Sequence, residues 1–145
     1  MAEVVVGVDG SQSARKALRW AAEYATAFQL PVRAVSAFTR PTRVGHPNEP
    51  PPATEELRRA THDRLVEMID KEAPDVEVVP EVVCIREGNA AHALCDAAKR
   101  ASLLVVGSRG LGGFTGLLVG SVSQQCVQYA PCPVVVVRER EDATA

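Results

Sequence analysis

The segment from Gly107 to Ser123, GSRGLGGFTGLLVGSVS, combines glycines and hydroxyl residues in a pattern suited to anion binding. Six glycines lie between Gly107 and Gly120, directly after the apolar run SLLVV, and Ser121 and Ser123 follow them. Glycine lets the backbone approach a ligand closely and adopt positive φ. Free N–H groups at a helix start bind phosphate well. The segment therefore predicts a phosphate-binding loop, and Arg109 is the only cation within it.

The spacing of these glycines separates this loop from two better-known phosphate loops. A P-loop requires a lysine after its last glycine, and no lysine follows any glycine here. A dinucleotide fingerprint requires three glycines after the first strand. Gly110 and Gly112 fit that spacing, but Thr115 occupies the third position. The spacing excludes a P-loop and disfavours a dinucleotide site.

The elements that must position this loop alternate between strand and helix patterns. β-Branched runs predict strands, and apolar residues at helical spacing predict helices, the first of them capped by Ser11. The predicted strands span 3–9, 32–38, 75–84, 102–107 and 132–138, and the predicted helices span 13–29, 53–73, 89–100 and 120–130. This order predicts an α/β fold: one doubly wound, five-stranded parallel sheet with helices on both faces.

In such a sheet, ligands bind beyond the carboxyl ends of the strands, where the strand order reverses. The fourth strand ends at Gly107 and the fourth helix begins near Gly120, so the glycine-rich loop belongs to that edge. Pro80 places the third strand at one border of the sheet, because proline cannot donate to a central ladder. The flat apolar strand within 133–138 predicts a homodimer, since an open edge invites another chain.

Length and composition narrow the class of protein. A chain of 145 residues suits one domain, expected over 1–138, with a charged tail over 139–145. A net charge of −2 and an aromatic content of 4% disfavour nucleic-acid binding. No apolar run is long enough to cross a membrane, and the N-terminus lacks the pattern of a signal peptide, so a cytoplasmic location is expected.

Two further features of the chain carry weaker predictions. The four cysteines form no CxxC pair, so they are expected to be small buried hydrophobic residues rather than zinc ligands. Residues 39–52 contain five prolines and predict a long loop. The sequence leaves open whether this loop covers the site or is a surface insertion.

Gly107, Gly110, Gly120 and Ser121 form the pattern G-x2-G-x9-G-S. With this pattern the chain resembles the ATP-binding class of the universal stress protein (UspA-like) family. The segments VVVGVDGSQSARKAL, EGNAAHAL and PCPVVVVR carry the same resemblance, which extends over nearly the whole chain. It implies a Rossmann-like fold similar to the adenine nucleotide alpha hydrolases. It also implies that the protein binds ATP, or ADP or AMP, together with Mg²⁺.

The resemblance implies two groups of nucleotide-binding residues. The group near the adenine and ribose, in which Asp9 also helps to order a metal, comprises Gly7, Val8, Asp9 and Ala37. The group that borders the ribose and holds the phosphates comprises Gly107, Arg109, Gly110, Gly120, Ser121, Val122 and Ser123.

These observations favour a nucleotide-sensing regulatory module in the stress response over an enzyme. The loop contains no lysine or histidine, and no nucleophile–base pair is visible by spacing, so no catalytic residue is assigned. We expect at most slow ATP hydrolysis, or autophosphorylation at Ser121 or Ser123. Asp9 lacks the acidic partner that a phosphoacceptor domain needs, and the segment after the first strand is a poor flavin phosphate loop. The alternative left open is a dimeric scaffold that binds partners and no nucleotide.

Overall fold

The structure is a computed structural model, and it describes residues 2–39, 54–86, 89–109 and 120–138. Strands and helices alternate through these ranges, as the sequence predicts. The elements are β1 (Val4–Gly7), α1 (Gln12–Phe28), β2 (Val32–Thr39), α2 (Thr54–Glu72), β3 (Val78–Ile85), α3 (Ala90–Ala97), β4 (Leu103–Gly107), α4 (Ser121–Tyr129) and β5 (Val134–Val137).

The strands form one parallel sheet in the order β3-β2-β1-β4-β5. The predicted α/β fold class is therefore confirmed. The chain runs outward from β1 to β3 on one side and then returns to place β4 on the other side of β1. The strand order thus reverses between β1 and β4. The predicted edge position of β3 is also confirmed, and its Pro80 stands opposite Ala34 of β2.

Alternating side chains of the strands build an apolar layer on each face of the sheet. On one face, Val4 and Val6 pack with Leu18 of α1 and Leu65 of α2. On the other face, Val5, Leu104 and Val106 pack with Leu94 of α3 and with Cys126 of α4. The helices therefore cover both faces of the sheet. The loops that connect each strand to the next helix lie at the carboxyl edge of the sheet.

The sequence of helix α1 determines where the helix begins and how closely it packs on the sheet. The Ser11 hydroxyl accepts a hydrogen bond from the backbone N–H of Ala14 at 3.1 Å, which confirms Ser11 as the N-cap. Alanines at helical spacing line the buried face of α1. These small side chains allow the helix backbone to lie close to the sheet. Within the described ranges, no helix is long and apolar enough to cross a membrane.

Candidate functional site

The predicted site residues that follow β1 and β4 lie side by side, because these two strands are neighbours in the sheet. Val6 of β1 pairs with Val105 of β4, so Asp9 and Arg109 each follow the carboxyl end of one of the paired strands. Gly7 is buried, whereas the side chain of Asp9 is exposed. The two halves of the predicted site thus meet where the strand order reverses.

The backbone of Arg109 is fixed by serines of the first turn of α1. The N–H of Arg109 donates to Ser13 Oγ at 3.2 Å. The carbonyl oxygen of Arg109 accepts from Ser13 Oγ at 2.5 Å and from Ser11 Oγ at 3.1 Å. Ser13 is completely buried. The chain therefore leaves β4 in a direction set by α1, while the Arg109 side chain is not part of this anchor.

Close approach at this point depends on Gly107. A Cβ atom at Gly107 would lie 2.4 Å from Ser13 Oγ and 2.9 Å from the backbone nitrogen of Ala14. Any side chain here would collide with the first turn of α1. Packing against α1 thus explains why the first position of the predicted motif is glycine, whether or not a ligand binds.

The N-terminus of α4 presents backbone N–H groups without a side-chain cap. The first hydrogen bond of the helix runs from the N–H of Gln124 to the carbonyl of Gly120 at 3.0 Å. The N–H groups of Ser121, Val122 and Ser123 have no acceptor within the helix for this reason. The N-cap is Gly120, which makes no side-chain hydrogen bond. By contrast, the side chains of Ser11 and Asn89 cap α1 and α3. This helix end can therefore bind an anion.

Two hydrogen bonds hold the start of α4 against the end of β4. The Gly120 N–H donates to the Ser108 carbonyl at 2.5 Å. The Ser123 hydroxyl donates to the Gly107 carbonyl at 2.5 Å, and Ser123 is buried. Ser121, in contrast, is exposed. The two predicted hydroxyl groups thus differ: that of Ser123 is engaged with the sheet, while that of Ser121 lies at the surface.

A cleft of about 600 Å³ lies at the carboxyl ends of β1 and β2, next to α2. Its walls include Val8, Asp9 and Ala37, three of the positions predicted near the base and ribose. Asp9 Oδ1 accepts from the Ser11 N–H at 2.9 Å, which holds the carboxylate at the start of the β1–α1 connection. Ser36 Oγ donates to the Val8 carbonyl at 2.7 Å and fixes the floor between the two strands.

Charged side chains of both signs also line this cleft. The charged residues that complete the lining are Arg15, Arg64, Glu67 and Lys71. Together with Asp9 they give three cations and two carboxylates, and one of the cations, Arg15, lies 3.8 Å from the carboxylate of Glu72. The sequence does not predict that α2 lines this cleft, because its charged side chains have the pattern of a helix face exposed to solvent.

Several predictions lie outside the described residues. These are the assignment of Gly110, most of the proline-rich loop over 39–52 and the charged tail over 139–145. Ser13 is an anchor that no motif in the sequence marks. The sequence feature that indicates burial of Ser13 is its position four residues before Ala17, on the buried face of α1. In the part of the chain that the structure describes, no group of three or more His, Cys, Asp or Glu residues is arranged to hold a metal.

Comparison with known proteins adds independent findings. Residues 1–138 match the profile of the Universal stress protein family. A universal stress protein of Mycolicibacterium smegmatis is 32% identical over 145 residues, which cover 97% of this chain and 49% of that protein. The chain thus spans about half the length of that relative.

Solved structures resemble the chain over nearly its full length. A universal stress protein in complex with cAMP is 26% identical with a TM-score of 0.71, covering 96% of this chain and 98% of its own. The protein from Archaeoglobus fulgidus in complex with dAMP is 25% identical with a TM-score of 0.65, covering 94% of this chain and 98% of its own.

Proposed function

Because the chain belongs to the universal stress protein family, we propose that it is a regulatory module that binds ATP, or ADP or AMP. The site is the carboxyl edge of the sheet between β1 and β4. The proposal is supported by the similar structures that contain cAMP and dAMP. The observation that carries it in this chain is the N-terminus of α4, where three backbone N–H groups lack a helical acceptor beside the end of β4.

The phosphates bind at the start of α4. The N–H groups of Ser121, Val122 and Ser123 donate to phosphate oxygens, and the positive end of the helix dipole adds to the attraction. Gly120 keeps this surface free of a competing side-chain cap. Gly107 and Arg109 border the α-phosphate and ribose, and the Ser11 and Ser13 hydrogen bonds hold that backbone in place before the ligand arrives.

The base and ribose bind toward the cleft beside β2. Val8 and the backbone of Ala37 contact adenine, over the buried Gly7, and Asp9 lies beside the ribose. A volume of about 600 Å³ suits a ligand of nucleotide size. Asp9 is a single carboxylate, so Mg²⁺ would take most of its ligands from phosphates and water, as is usual for this ion.

Nucleotide binding in this proposal is not coupled to rapid chemistry. The segment 107–123 contains no lysine or histidine that would neutralise or protonate a transferring phosphoryl group. Bound nucleotide instead stabilises one arrangement of the strand-to-helix loops, and a partner distinguishes the loaded protein from the empty one. We place the dimer contact at the outer edge of β5.

Mass spectrometry of nucleotide released from the freshly purified protein identifies the ligand, and calorimetric titration with ATP, ADP and AMP measures its affinity. Ser121→Pro removes one N–H at the first helical position, where proline is well tolerated. Its matched control, Ser121→Ala, removes the hydroxyl and keeps the N–H. We expect about 10-fold weaker binding for the proline variant, since a hydrogen bond to a charged group contributes about 1.5 kcal/mol or more.

The alanine variant should change the dissociation constant by less than about threefold. Equal loss in both variants would contradict binding through the backbone N–H groups. A wild-type protein that binds no adenine nucleotide but still forms a dimer would favour the second candidate, a scaffold that acts through protein contacts. The border position of β5 in the sheet that the described residues form and the exposed Tyr129 of α4 are the observations behind that candidate.

A further inference from the structure

Three of the four cysteines come from separate elements and pack in one apolar layer. Cys126 of α4 is completely buried in the cluster on the α3–α4 face. Cys95 of α3 and Cys132, which precedes β5, are partly buried and pack against that cluster. Cys84 lies elsewhere, on edge strand β3. The fold thus brings Cys126 and Cys132 into the same layer as Cys95, although both are at least 31 residues away from Cys95 in the chain.

Cys95 and Cys126 share one apolar layer, because Cys95 packs against the buried cluster that contains Cys126. Burial raises the pKa of Cys95, and its interaction with the Cys126 side chain opposes the rise. Burial, and then the neighbouring Cys95, raise the pKa of Cys126 to about 12. Cys95 is therefore the thiol of the pair that loses its proton first.

Small molecules can reach Cys95 from the surface. It lines a cleft of about 800 Å³ between α3 and α4, together with His92, Asp96, Lys99 and Tyr129. The Lys99 ammonium is engaged with Asp96 at 2.7 Å. Cys126 lies behind Cys95, away from solvent. When an accessible thiol is oxidised to a sulfenic acid, a neighbouring cysteine can resolve that product by forming a disulfide.

We propose that Cys95 and Cys126 form a disulfide when hydrogen peroxide oxidises the protein. The Cys95 thiolate attacks one peroxide oxygen, the O–O bond breaks, and a sulfenic acid forms. The departing hydroxide takes up the proton released by the thiol and leaves as water. The sulfur of Cys126 then attacks the sulfenic sulfur, the S–O bond breaks, and the second hydroxide leaves as water with the Cys126 proton. Two thiols lose two electrons, and one peroxide becomes two waters.

The disulfide would join α3 to α4 at a place where these helices already meet. The Asn89 side-chain amide donates to Gln125 Oε1 at 3.0 Å and holds the same two helices together on the polar side.

A thiophilic metal is a weaker explanation of the cysteine cluster, because the described residues contain no group of three or more His, Cys, Asp or Glu side chains arranged to hold a metal. The inference does not depend on nucleotide binding.

The test is peptide mapping of the full chain after exposure to excess hydrogen peroxide, followed by alkylation of free thiols in denaturant. Trypsin places Cys95 in the peptide 87–99, and chymotrypsin separates Cys126 from Cys132 by cutting after Tyr129. We expect the number of free thiols to fall from four to two, with 87–99 linked to the peptide that contains Cys126. Dithiothreitol should restore all of them.

Four alanine variants locate the bond. Cys95→Ala and Cys126→Ala should lose the linked peptides, whereas Cys84→Ala and Cys132→Ala should retain them. If Cys126→Ala fails to fold, Cys95→Ala, at a partly exposed position, makes the same test. A bond between Cys95 and Cys132, sulfinic acid at Cys95 without any disulfide, or four free thiols after treatment would each overturn the inference.

Discussion

Gly107 and Ser13 are in contact so close that no side chain fits between them. An added Cβ at Gly107 would lie 2.4 Å from Ser13 Oγ and 2.7 Å from the Ser13 carbonyl carbon. Ser13 in turn holds both backbone groups of Arg109. This contact joins the end of β4 to the beginning of α1 and sets the direction in which the glycine-rich loop leaves the sheet.

The variant Gly107→Ala should therefore destabilise the protein. Overpacking against backbone costs about 1–3 kcal/mol, which urea unfolding detects as a lower midpoint. Gly7→Ala is the matched control in the neighbouring strand. Its added Cβ would meet the end of the Leu94 side chain at 2.7 Å, which can rotate away, so the loss should be smaller. Equal losses in the two variants would contradict the role given to the Ser13 contact.

Ser13→Ala should release the Arg109 backbone without creating a clash. The Arg109 N–H loses its Ser13 acceptor, while the carbonyl keeps the Ser11 hydroxyl at 3.1 Å. A buried polar group without a partner costs about 1–3 kcal/mol. We expect faster hydrogen exchange at the Arg109 amide and weaker nucleotide binding. Ser121→Ala, at an exposed position, should leave that exchange rate unchanged.

Stability should fall as the pH rises above about 9, the ordinary pKa of a thiol. Burial raises the pKa of Cys126 to about 12, so between these values the unfolded chain has lost a proton that the folded chain retains. The folded state is then disfavoured as pH rises, by up to about 1.4 kcal/mol per pH unit.

Urea unfolding under reducing conditions at pH 8 and pH 10 measures this dependence. Cys126→Ala should show a shallower decline than the wild-type protein, although the remaining partly buried thiols also shift upward. Parallel declines in the two proteins would show that Cys126 is not the titrating group.

Val136→Pro tests the proposed dimer without breaking the sheet. The carbonyl of Pro133 accepts from the N–H of Leu104 in β4, and that of Val137 accepts from the N–H of Ser108, which follows β4. The residues of β5 between them therefore direct their backbone groups to the outer edge. Proline at position 136 removes an outward N–H, whereas Val135→Pro removes one that faces β4 and should unfold the chain. Light scattering should give twice the chain mass of 15.5 kDa for wild type and the single mass for Val136→Pro. A wild-type protein of single mass at micromolar concentration would exclude this dimer.

The order of elements and the edge position of β3 could be predicted from local sequence. Strand and helix periodicity depend on a residue and its near neighbours, and Pro80 excludes a central strand whatever the remainder of the chain does. The glycine spacing after β4 likewise marked a loop at the carboxyl edge, because parallel strands joined through helices place all such loops on one side.

Contacts between distant residues were decided only by the tertiary structure. Two serines near a helix start have the same local pattern whether they face solvent or anchor Arg109, 96 residues away from Ser13. Ser121 and Ser123 are equivalent by type, yet only Ser123 donates to the Gly107 carbonyl. The cysteines are isolated along the chain, yet Cys95, Cys126 and Cys132 pack in one apolar layer. Local propensity determines which elements form, whereas packing determines which side chains remain available for chemistry, because burial and partners depend on the whole fold.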